Sequence, residues 1–337
     1  MFKLHNASWP GLVGKGPGTP EDFFTLDAMI DFTVKANVGG KKFDGLDLFL
    51  ASPHVAIDSD DDALKALAEK LRTNNLVTGS FVAPIWGGTG GGSAIGSQEE
   101  INKFLTQVRA ACRIAQKLAD LGVRPYGCVR IDSSAPVTDW LADPLNMTKR
   151  LIATFKEAAN IAAGEGQMLA AEGEICWGGM HSWRQIQRVL EGVARPAALG
   201  MQVDLAHTML YMLGYNAPED RILPADFDWS DADAFKAAYL KLVKELKEWL
   251  RDFHVAQNDG SVKGQGSHDK TGRHCLPNDP NGKLDITWCA AQWLSGHHPS
   301  VKHLCWDGCM FSNDIMQLPD TWNNILAAML DVQKNVE

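Results

Sequence analysis

The chain has 337 residues, of which 45% are hydrophobic, with a formal net charge of −9 and a pI of about 5.6. This length accommodates either one large, elaborated domain or two ordinary ones. Because nucleic-acid binders need a basic surface to displace phosphate counterions, the acidic charge argues against a nucleic-acid partner.

The cysteines and the N-terminus indicate an intracellular, soluble protein. Seven cysteines are spaced irregularly, without a C-x-x-C pair, and an odd number in a chain of this length favours reduced thiols over a disulfide scaffold. The first six residues lack a basic region followed by an apolar stretch, so no signal peptide is predicted. No run approaches the ~20 apolar residues of a membrane span. We therefore expect a cytoplasmic protein with no membrane partner.

Short apolar runs alternate with amphipathic helical stretches along the chain, a pattern typical of parallel β/α units. Eight strands are predicted, at 2–8, 44–50, 76–84, 125–132, 167–173, 200–205, 251–256 and 301–306. Eight such units in series favour a closed barrel over an open sheet. Because no linker divides the chain, we predict one (β/α)₈ TIM-barrel domain over residues 1–337.

Three stretches between these strands show the apolar repeat of a helix most clearly: 60–74, 98–121 and 231–250. Ser97 and Glu100 form a predicted capping box before the second of these helices, and Gly122 is its predicted stop. Ser230 is the predicted cap of the third. These helices are expected on the outside of the barrel.

Four of the connections that follow strands are long: 9–20, 84–97, 206–230 and 257–285. In a barrel they all lie at the C-terminal face, where active sites are built. The last three are interpreted as loop insertions into the domain. The glycine-rich run 87–92 lacks the Gly-Lys-Ser/Thr of a phosphate loop and the spacing of a dinucleotide fingerprint. We therefore interpret it as a mobile loop, and a flexible lid is the second interpretation.

Polar residues end four consecutive predicted strands. Glu172, Asp204, His254 and Asp307 each follow an apolar run, and a buried carboxylate is costly unless it is paired or binds a metal. Singly, each has a plainer interpretation: an ion pair, a helix cap, a core histidine or a turn residue. Because barrel strands end around one axis, the four together predict an oxygen-rich site for one divalent metal.

The order of these residues resembles the xylose-isomerase-like TIM barrel superfamily, in particular its sugar phosphate isomerase/epimerase and ketose 3-epimerase branch. The resemblance extends over nearly the whole chain at the level of strand order, in the segments 169–172, 203–207, 253–255, 272–277 and 281–285. It implies that the four strand-end residues bind one divalent ion, Mn²⁺ as first choice and Mg²⁺, Co²⁺ or Zn²⁺ as alternatives. His207 and Arg273 would contact substrate hydroxyls.

The chain departs from the family pattern in two places. The family usually has Glu at the position of Asp307, and the shorter side chain draws the carboxylate back by one methylene. The segment 257–285 is longer than the family's usual loop and contains His268. Both departures affect the assignment of the acid and the base.

The implied chemistry is proton transfer next to a carbonyl. A metal chelated by a carbonyl and an adjacent hydroxyl stabilises the enediolate that forms when a positioned base removes the proton. Glu172 is predicted as ligand and as base on one face, with Asp307, His268 or His274 on the other. Return of the proton gives an epimer or an isomer. Elimination is the nearest rival, as in lyases that act on 3-keto-glycosides with the same metal site.

Aromatic residues near strand ends are candidates for stacking on a sugar ring. Trp9, Trp86, Trp177 and Trp183 all follow strand ends or border predicted loops. Trp177 is included among the predicted substrate contacts, together with His181 and His268. Ordinary packing is the alternative for each tryptophan.

Two further classes remain as alternatives. The apurinic endonuclease branch of the same superfamily needs more histidines and carboxylates for several zinc ions and a basic groove, which the net charge of −9 opposes. A non-catalytic barrel that binds a sugar or a protein partner would be stabilised by metal without turnover. The expected partner is a small sugar or keto-sugar, and a neutral substrate is favoured over a phosphorylated one. A homo-oligomer is possible.

Overall fold

Eight short parallel strands hydrogen-bond to one another in a ring. The computed structural model describes residues 1–264, 271–296 and 300–336. Its strands are β1 (Lys3–Ala7), β2 (Gly45–Phe49), β3 (Phe81–Val82), β4 (Val129–Ile131), β5 (Leu169–Glu172), β6 (Leu199–Asp204), β7 (Leu250–Val255), β8 (Val262–Lys263), β9 (Thr271–Gly272) and β10 (His303–Trp306). The closed order is β1-β10-β7-β6-β5-β4-β3-β2. Each predicted strand overlaps one barrel strand, and the predicted (β/α)₈ barrel is confirmed.

Helices return the chain from the end of one strand to the start of the next. They are α1 (Leu26–Lys35), α2 (Asp61–Thr73), α3 (Gln98–Asp120), α4 (Val137–Leu141), α5 (Pro144–Gly164), α6 (Trp183–Val193), α7 (Leu205–Leu213), α8 (Ala232–Leu246), α9 (Ile286–Leu294), α10 (Asn313–Gln317) and α11 (Thr321–Val336). The capping box of Ser97 and Glu100 is present at the start of α3. Gly122 follows α3 with φ +74°, a conformation that glycine adopts without strain.

Two predictions about helices are wrong in detail. The segment 206–230 was expected as a loop, but α7 occupies its start; eight of its nine residues are buried, so it lacks the polar face by which a surface helix is recognised. The cap of α8 is Asp231, whose carboxylate accepts from the Ala234 amide. Ser230 instead donates its hydroxyl to Asp228.

The long segment 257–285 contains a small antiparallel hairpin. In it β8 pairs with β9, with Val262 opposite Gly272 and Lys263 opposite Thr271. The Lys263 ammonium donates to the Met310 carbonyl at 2.8 Å, which ties the hairpin to the loop after β10. The chain leaves β9 directly toward the mouth of the barrel.

The hydrophobic core fills the space between the barrel and its helices. All seven cysteines are free thiols, six of them buried and Cys309 half-buried, as the sequence predicts. Within the described residues, no helix is long and apolar enough to cross a membrane.

Candidate metal and sugar site

The four strand-end residues meet at the mouth of the barrel. Glu172 and Asp204 are the last residues of β5 and β6, His254 is the penultimate residue of β7, and Asp307 directly follows β10. One ligand atom from each lies within 4.8 Å of those of the other three. Each residue is at most 3% exposed. Three carboxylates and one imidazole are thus close enough together that they could hold a metal ion.

Asp204 serves two purposes at once. Its Oδ1 caps α7 by accepting from the amides of Ala206 at 2.7 Å and His207 at 3.1 Å. Its Oδ2 is left to face the site, 3.5 Å from Nε2 of His274. Burial alone would raise the pKa of Asp204, but the charges of His207 and His274 lower it below its usual value. The capping and the metal-site interpretations of Asp204 are therefore compatible.

Asp307 is held by three donors. Its Oδ1 accepts from Nε1 of Trp9 at 3.0 Å and from the Cys309 amide at 2.7 Å. Its Oδ2 lies 3.2 Å from Nδ1 of His254. Burial opposes ionisation of Asp307, but the charge of His274, together with the hydrogen bond and charge of His254, holds its pKa well below its usual range. Asp307 is thus a fixed, ionised carboxylate.

His274 reaches the cluster from the segment that follows β9. Its Nε2 lies 3.5 Å from Asp204 and 3.9 Å from Asp307, and its side chain is 1% exposed. Burial lowers the pKa of His274, but the carboxylates of Asp307 and Asp204 outweigh it and raise the pKa to about 9. At neutral pH His274 carries a proton within reach of the site.

His207 lies beside His274, with ring centroids 5.2 Å apart. Its Nε2 is 3.7 Å from carboxylate oxygens of both Glu172 and Glu174. Burial lowers the pKa of His207 below its ordinary value, against the opposing charges of Asp204 and Glu174. A neutral imidazole in this place can donate to, or accept from, a substrate hydroxyl.

Arg130 and Glu174 complete the site, although neither is among the predicted site residues. The Arg130 guanidinium contacts Glu172 and lies 2.8 Å from Glu174, whose other oxygen accepts from Thr271 at 3.2 Å. Arg130 and Asp132 occupy alternate positions along β4 and just beyond it, and both are buried. Polar residues at period two in an apolar strand point into a barrel, so this signal was present in the sequence.

Several predicted contacts lie outside this cluster. Arg273 pairs with Asp259, and its side chain is 47% exposed. His181 packs edge-on against Trp140, with ring centroids 4.8 Å apart, and burial lowers its pKa. His268 lies outside the described residues. The structure therefore does not bring Arg273 or His181 to the four strand-end residues.

The tryptophans differ in their surroundings. Trp9 stacks on His254, with centroids 5.2 Å apart, and Trp86 stacks on Trp177 at 6.2 Å. Trp183 donates its Nε1 proton to the Asp220 carbonyl, an ordinary packing contact. Trp9 and Trp86 line the cavity above the cluster, and Trp177 supports Trp86 from behind.

A small cavity opens directly onto the cluster. Its lining combines aromatic and apolar side chains with the charged groups of the site: Trp9, Val13, Phe49, Val82, Trp86, Arg130, Glu172, Glu174, Asp307 and Cys309. Its free volume is about 10 Å³, room for about one water molecule. A sugar can therefore enter only if the rim of the cavity moves.

The protein is thus a (β/α)₈ barrel that carries a buried cluster of carboxylates and an imidazole at its C-terminal face. The family model described as xylose isomerase-like TIM barrel matches residues 36–291, well over half of the chain. The protein belongs to this family, and the predicted superfamily is confirmed. A comparison with curated protein sequences gives no match.

Solved structures with the same fold are distant in sequence. A xylose isomerase-like TIM barrel protein from Mycobacterium smegmatis, in complex with magnesium, shares 12% identity at a TM-score of 0.63, over 100% of this chain and 98% of that one. An L-ribulose 3-epimerase shares 12% identity at 0.59, covering 99% and 96%. The 3-keto-D-glucoside 4-epimerase YcjR from E. coli shares 12% at 0.56, covering 99% and 100%. At identities this low, the comparison shows only that these proteins share the fold.

Proposed function

We propose that the protein is a divalent-metal-dependent isomerase or epimerase that moves a proton next to the carbonyl of a sugar. The observation that carries this proposal is the convergence of Glu172, Asp204, His254 and Asp307, all buried, with ligand atoms within 4.8 Å of one another. Buried carboxylates this close repel one another unless cations offset their charge. Epimerases and a magnesium-bound protein among the structural neighbours lend support.

The residues present fit a divalent metal. Carboxylate oxygens with a single imidazole suit Mg²⁺, Mn²⁺, Co²⁺ or Zn²⁺. Oδ2 of Asp204 and both ring nitrogens of His274 have no well-formed hydrogen bond within the described part of the chain, so the site has buried polar atoms left to satisfy. We propose Mn²⁺ as the resident ion, with the other three as alternatives, bound by the four strand-end residues.

When bound, the metal stabilises negative charge on the substrate oxygens during proton removal. The side chains carry out the remaining steps. Glu172 removes the proton on one face of the substrate, while Arg130 holds the Glu172 carboxylate in place. His207, neutral and 3.7 Å from Glu172, orients a substrate hydroxyl by hydrogen bonding.

We assign the proton on the second face to His274 in preference to Asp307. Both oxygens of Asp307 are engaged, one by Trp9 and Cys309 and the other by His254. In the metal-free protein His274 is protonated near neutral pH, and its Nε2 lies 3.5 Å from Asp204. We propose that it returns a proton to the carbon from the side opposite Glu172. Arg273 stays a predicted substrate contact, although its side chain pairs with Asp259 in this structure.

The negative charge of the site affects whether it can bind a phosphorylated substrate. Glu172, Glu174 and Asp307 line the cavity, and Asp204 lies close to them. These four carboxylates outnumber the nearby cations, Arg130 and His274. Even with one divalent ion added, this lining offers little to a phosphate dianion. We propose a neutral sugar or keto-sugar as the substrate.

Elimination from a 3-keto-glycoside is the second candidate. The same base would remove the proton beside the keto group, and protonated His274 would deliver its proton to the departing glycosidic oxygen. This route requires that His274 face a leaving group, whereas epimerisation requires that it face the carbon. The products distinguish the two.

The proposal is tested by hydrogen exchange in D₂O. EDTA-stripped protein is incubated with and without Mn²⁺, with a panel of free ketoses and 3-keto-glycosides, and followed by NMR. We expect metal-dependent deuterium uptake at a carbon next to the carbonyl, lost in Glu172→Gln. Asp220→Asn is the matched control, because Asp220 is a buried carboxylate that accepts from Ser182 and is not one of the clustered strand-end residues.

Each possible outcome of this experiment supports or contradicts a specific proposal. An epimer or isomer with deuterium at that carbon supports the main proposal, and release of an aglycone supports the lyase. Failure of the wild-type protein to bind any of the four metals contradicts both. Metal binding without exchange on any substrate favours a barrel that binds its ligand without turnover.

A further inference from the structure

Strand β7 carries a second buried polar residue two positions before His254. Alternate residues of a strand point to the same side, so Asp252 and His254 both point into the barrel, and each is 2% exposed. Oδ2 of Asp252 lies 3.8 Å from Nε2 of His254. Among the described residues this oxygen has no hydrogen-bond partner. A buried carboxylate oxygen without a donor is costly, so its position requires an explanation.

The two ring nitrogens of His254 face opposite directions. Nδ1 lies 3.2 Å from Asp307 and 4.0 Å from Asp204, whereas Nε2 faces Asp252. Trp9 stacks on the ring and restricts its plane. A histidine that binds a metal through Nδ1 carries its proton on Nε2. Inside the barrel that proton needs an acceptor.

The other histidine near Asp252 is already engaged. Nε2 of His303 lies 2.8 Å from Asp47 and 4.0 Å from Asp252. Asp47 also holds Nδ1 of His5 at 2.7 Å. Gly79 makes room for this pair, because a Cβ there would lie 2.6 Å from Nε2 of His303. Asp47 therefore holds His303, so His303 does not supply the donor that Asp252 lacks.

We propose that Asp252 is a positioning residue that accepts the hydrogen bond of Nε2–H of His254. The inference rests on the proposed function, in which His254 binds the metal. The gap of 3.8 Å exceeds a hydrogen bond, so the carboxylate approaches by about 0.8 Å, within reach of a side-chain rotation. Metal binding through Nδ1 would release to solvent the ring proton that faces Asp307. The contact with Asp252 would keep the other ring proton on Nε2 and make the imidazole a stronger ligand. Asp252 itself touches neither metal nor substrate.

The first test measures metal affinity by titration calorimetry with Mn²⁺. We expect the dissociation constant to rise by about 10–100-fold in Asp252→Ala, the usual effect of removing such a partner. Asp252→Asn, which keeps a weaker acceptor, should lie between wild type and Ala. Asp220→Asn is the control for loss of a buried carboxylate elsewhere, and should leave the Mn²⁺ affinity unchanged. Wild-type affinity in Asp252→Ala overturns the proposal.

The second test observes the ring proton itself. In ¹⁵N-histidine-labelled protein, with His254 assigned by comparison with His254→Gln, we expect a slowly exchanging Nε2–H that is lost or exchanges faster in Asp252→Ala. Unchanged exchange overturns the inference. Should the wild-type protein bind no metal, the proposed function fails, but this spectrum of the metal-free protein still decides whether Asp252 holds His254. If Asp252→Ala does not fold, Asp252→Asn serves in both measurements.

Discussion

The indole Nε1 of Trp9 donates a hydrogen bond of 3.0 Å to Oδ1 of Asp307. The two residues are 298 positions apart, just beyond the ends of β1 and β10, which are paired in the closed barrel. Trp9 also stacks on His254. A tryptophan considered for sugar stacking thus orients two of the proposed metal ligands.

Trp9→Phe keeps an aromatic ring and removes the donor. Because the bond ends on a buried carboxylate, its loss should lower the free energy of unfolding by about 1.5–3 kcal/mol and raise the Mn²⁺ dissociation constant several-fold. Denaturant titration and calorimetry measure the two effects. In Trp322→Phe, a buried indole loses its bond to the Met316 carbonyl away from the site. That control should lose stability while its metal affinity is unchanged. Equal metal affinity in both variants would contradict the role assigned to Trp9.

Arg130→Met leaves Glu172 and Glu174 without their buried cation. The free energy of unfolding of the metal-free protein should fall by about 3–5 kcal/mol, the usual cost of breaking a buried pair. Because a positive charge beside the site is removed, Mn²⁺ should bind more tightly, while turnover falls as Glu172 loses its support. Arg124→Met removes another buried guanidinium, one that donates to Gly79 and Gln167, and should leave the metal affinity unchanged. Weaker Mn²⁺ binding in Arg130→Met would argue against this electrostatic account.

The stability of the metal-free protein should depend on pH through His274. Its pKa is raised to about 9, because Asp307 and Asp204 outweigh burial, from an unfolded value of about 6.5. Because its pKa is raised, His274 contributes about 3 kcal/mol to the free energy of unfolding below pH 6.5. This contribution is lost as the pH rises through 9. The difference in unfolding free energy between wild type and His274→Gln should shrink over that window.

The contribution of His181 to the free energy of unfolding should have the opposite pH dependence. Burial lowers its pKa, so the folded state disfavours the charged form. Relative to His181→Gln, the wild-type protein should therefore lose stability as the pH falls below about 6.5. The same sign for both histidines would show that the environment of His274 is not as described.

Metal removal should be visible as a loss of stability. At a free Mn²⁺ concentration 100 times the dissociation constant, binding adds about 2.7 kcal/mol to the free energy of unfolding, so EDTA should lower the melting temperature by several degrees. His254→Gln should show a much smaller difference between the two conditions. A shift that persists in His254→Gln would place the bound metal elsewhere.

The sequence alone determined the barrel and the four strand-end positions. Both follow from local periodicity: eight apolar runs separated by helices close a ring, and the residues that end the strands must then meet. Glu172, Asp204, His254 and Asp307 could be named because each interrupts an apolar run. Their assignment as metal ligands stays a prediction that the experiments above can decide.

Only the tertiary structure decided which further side chains reach that cluster. Long-range contacts such as Trp9 with Asp307, Arg130 with Glu172 and Thr271 with Glu174 join residues that are 42 to 298 positions apart. Arg273 and His274 are neighbours in sequence, yet one is at the surface and the other buried in the site. In an irregular segment no period tells which side chain points inward, so packing against the barrel settles it.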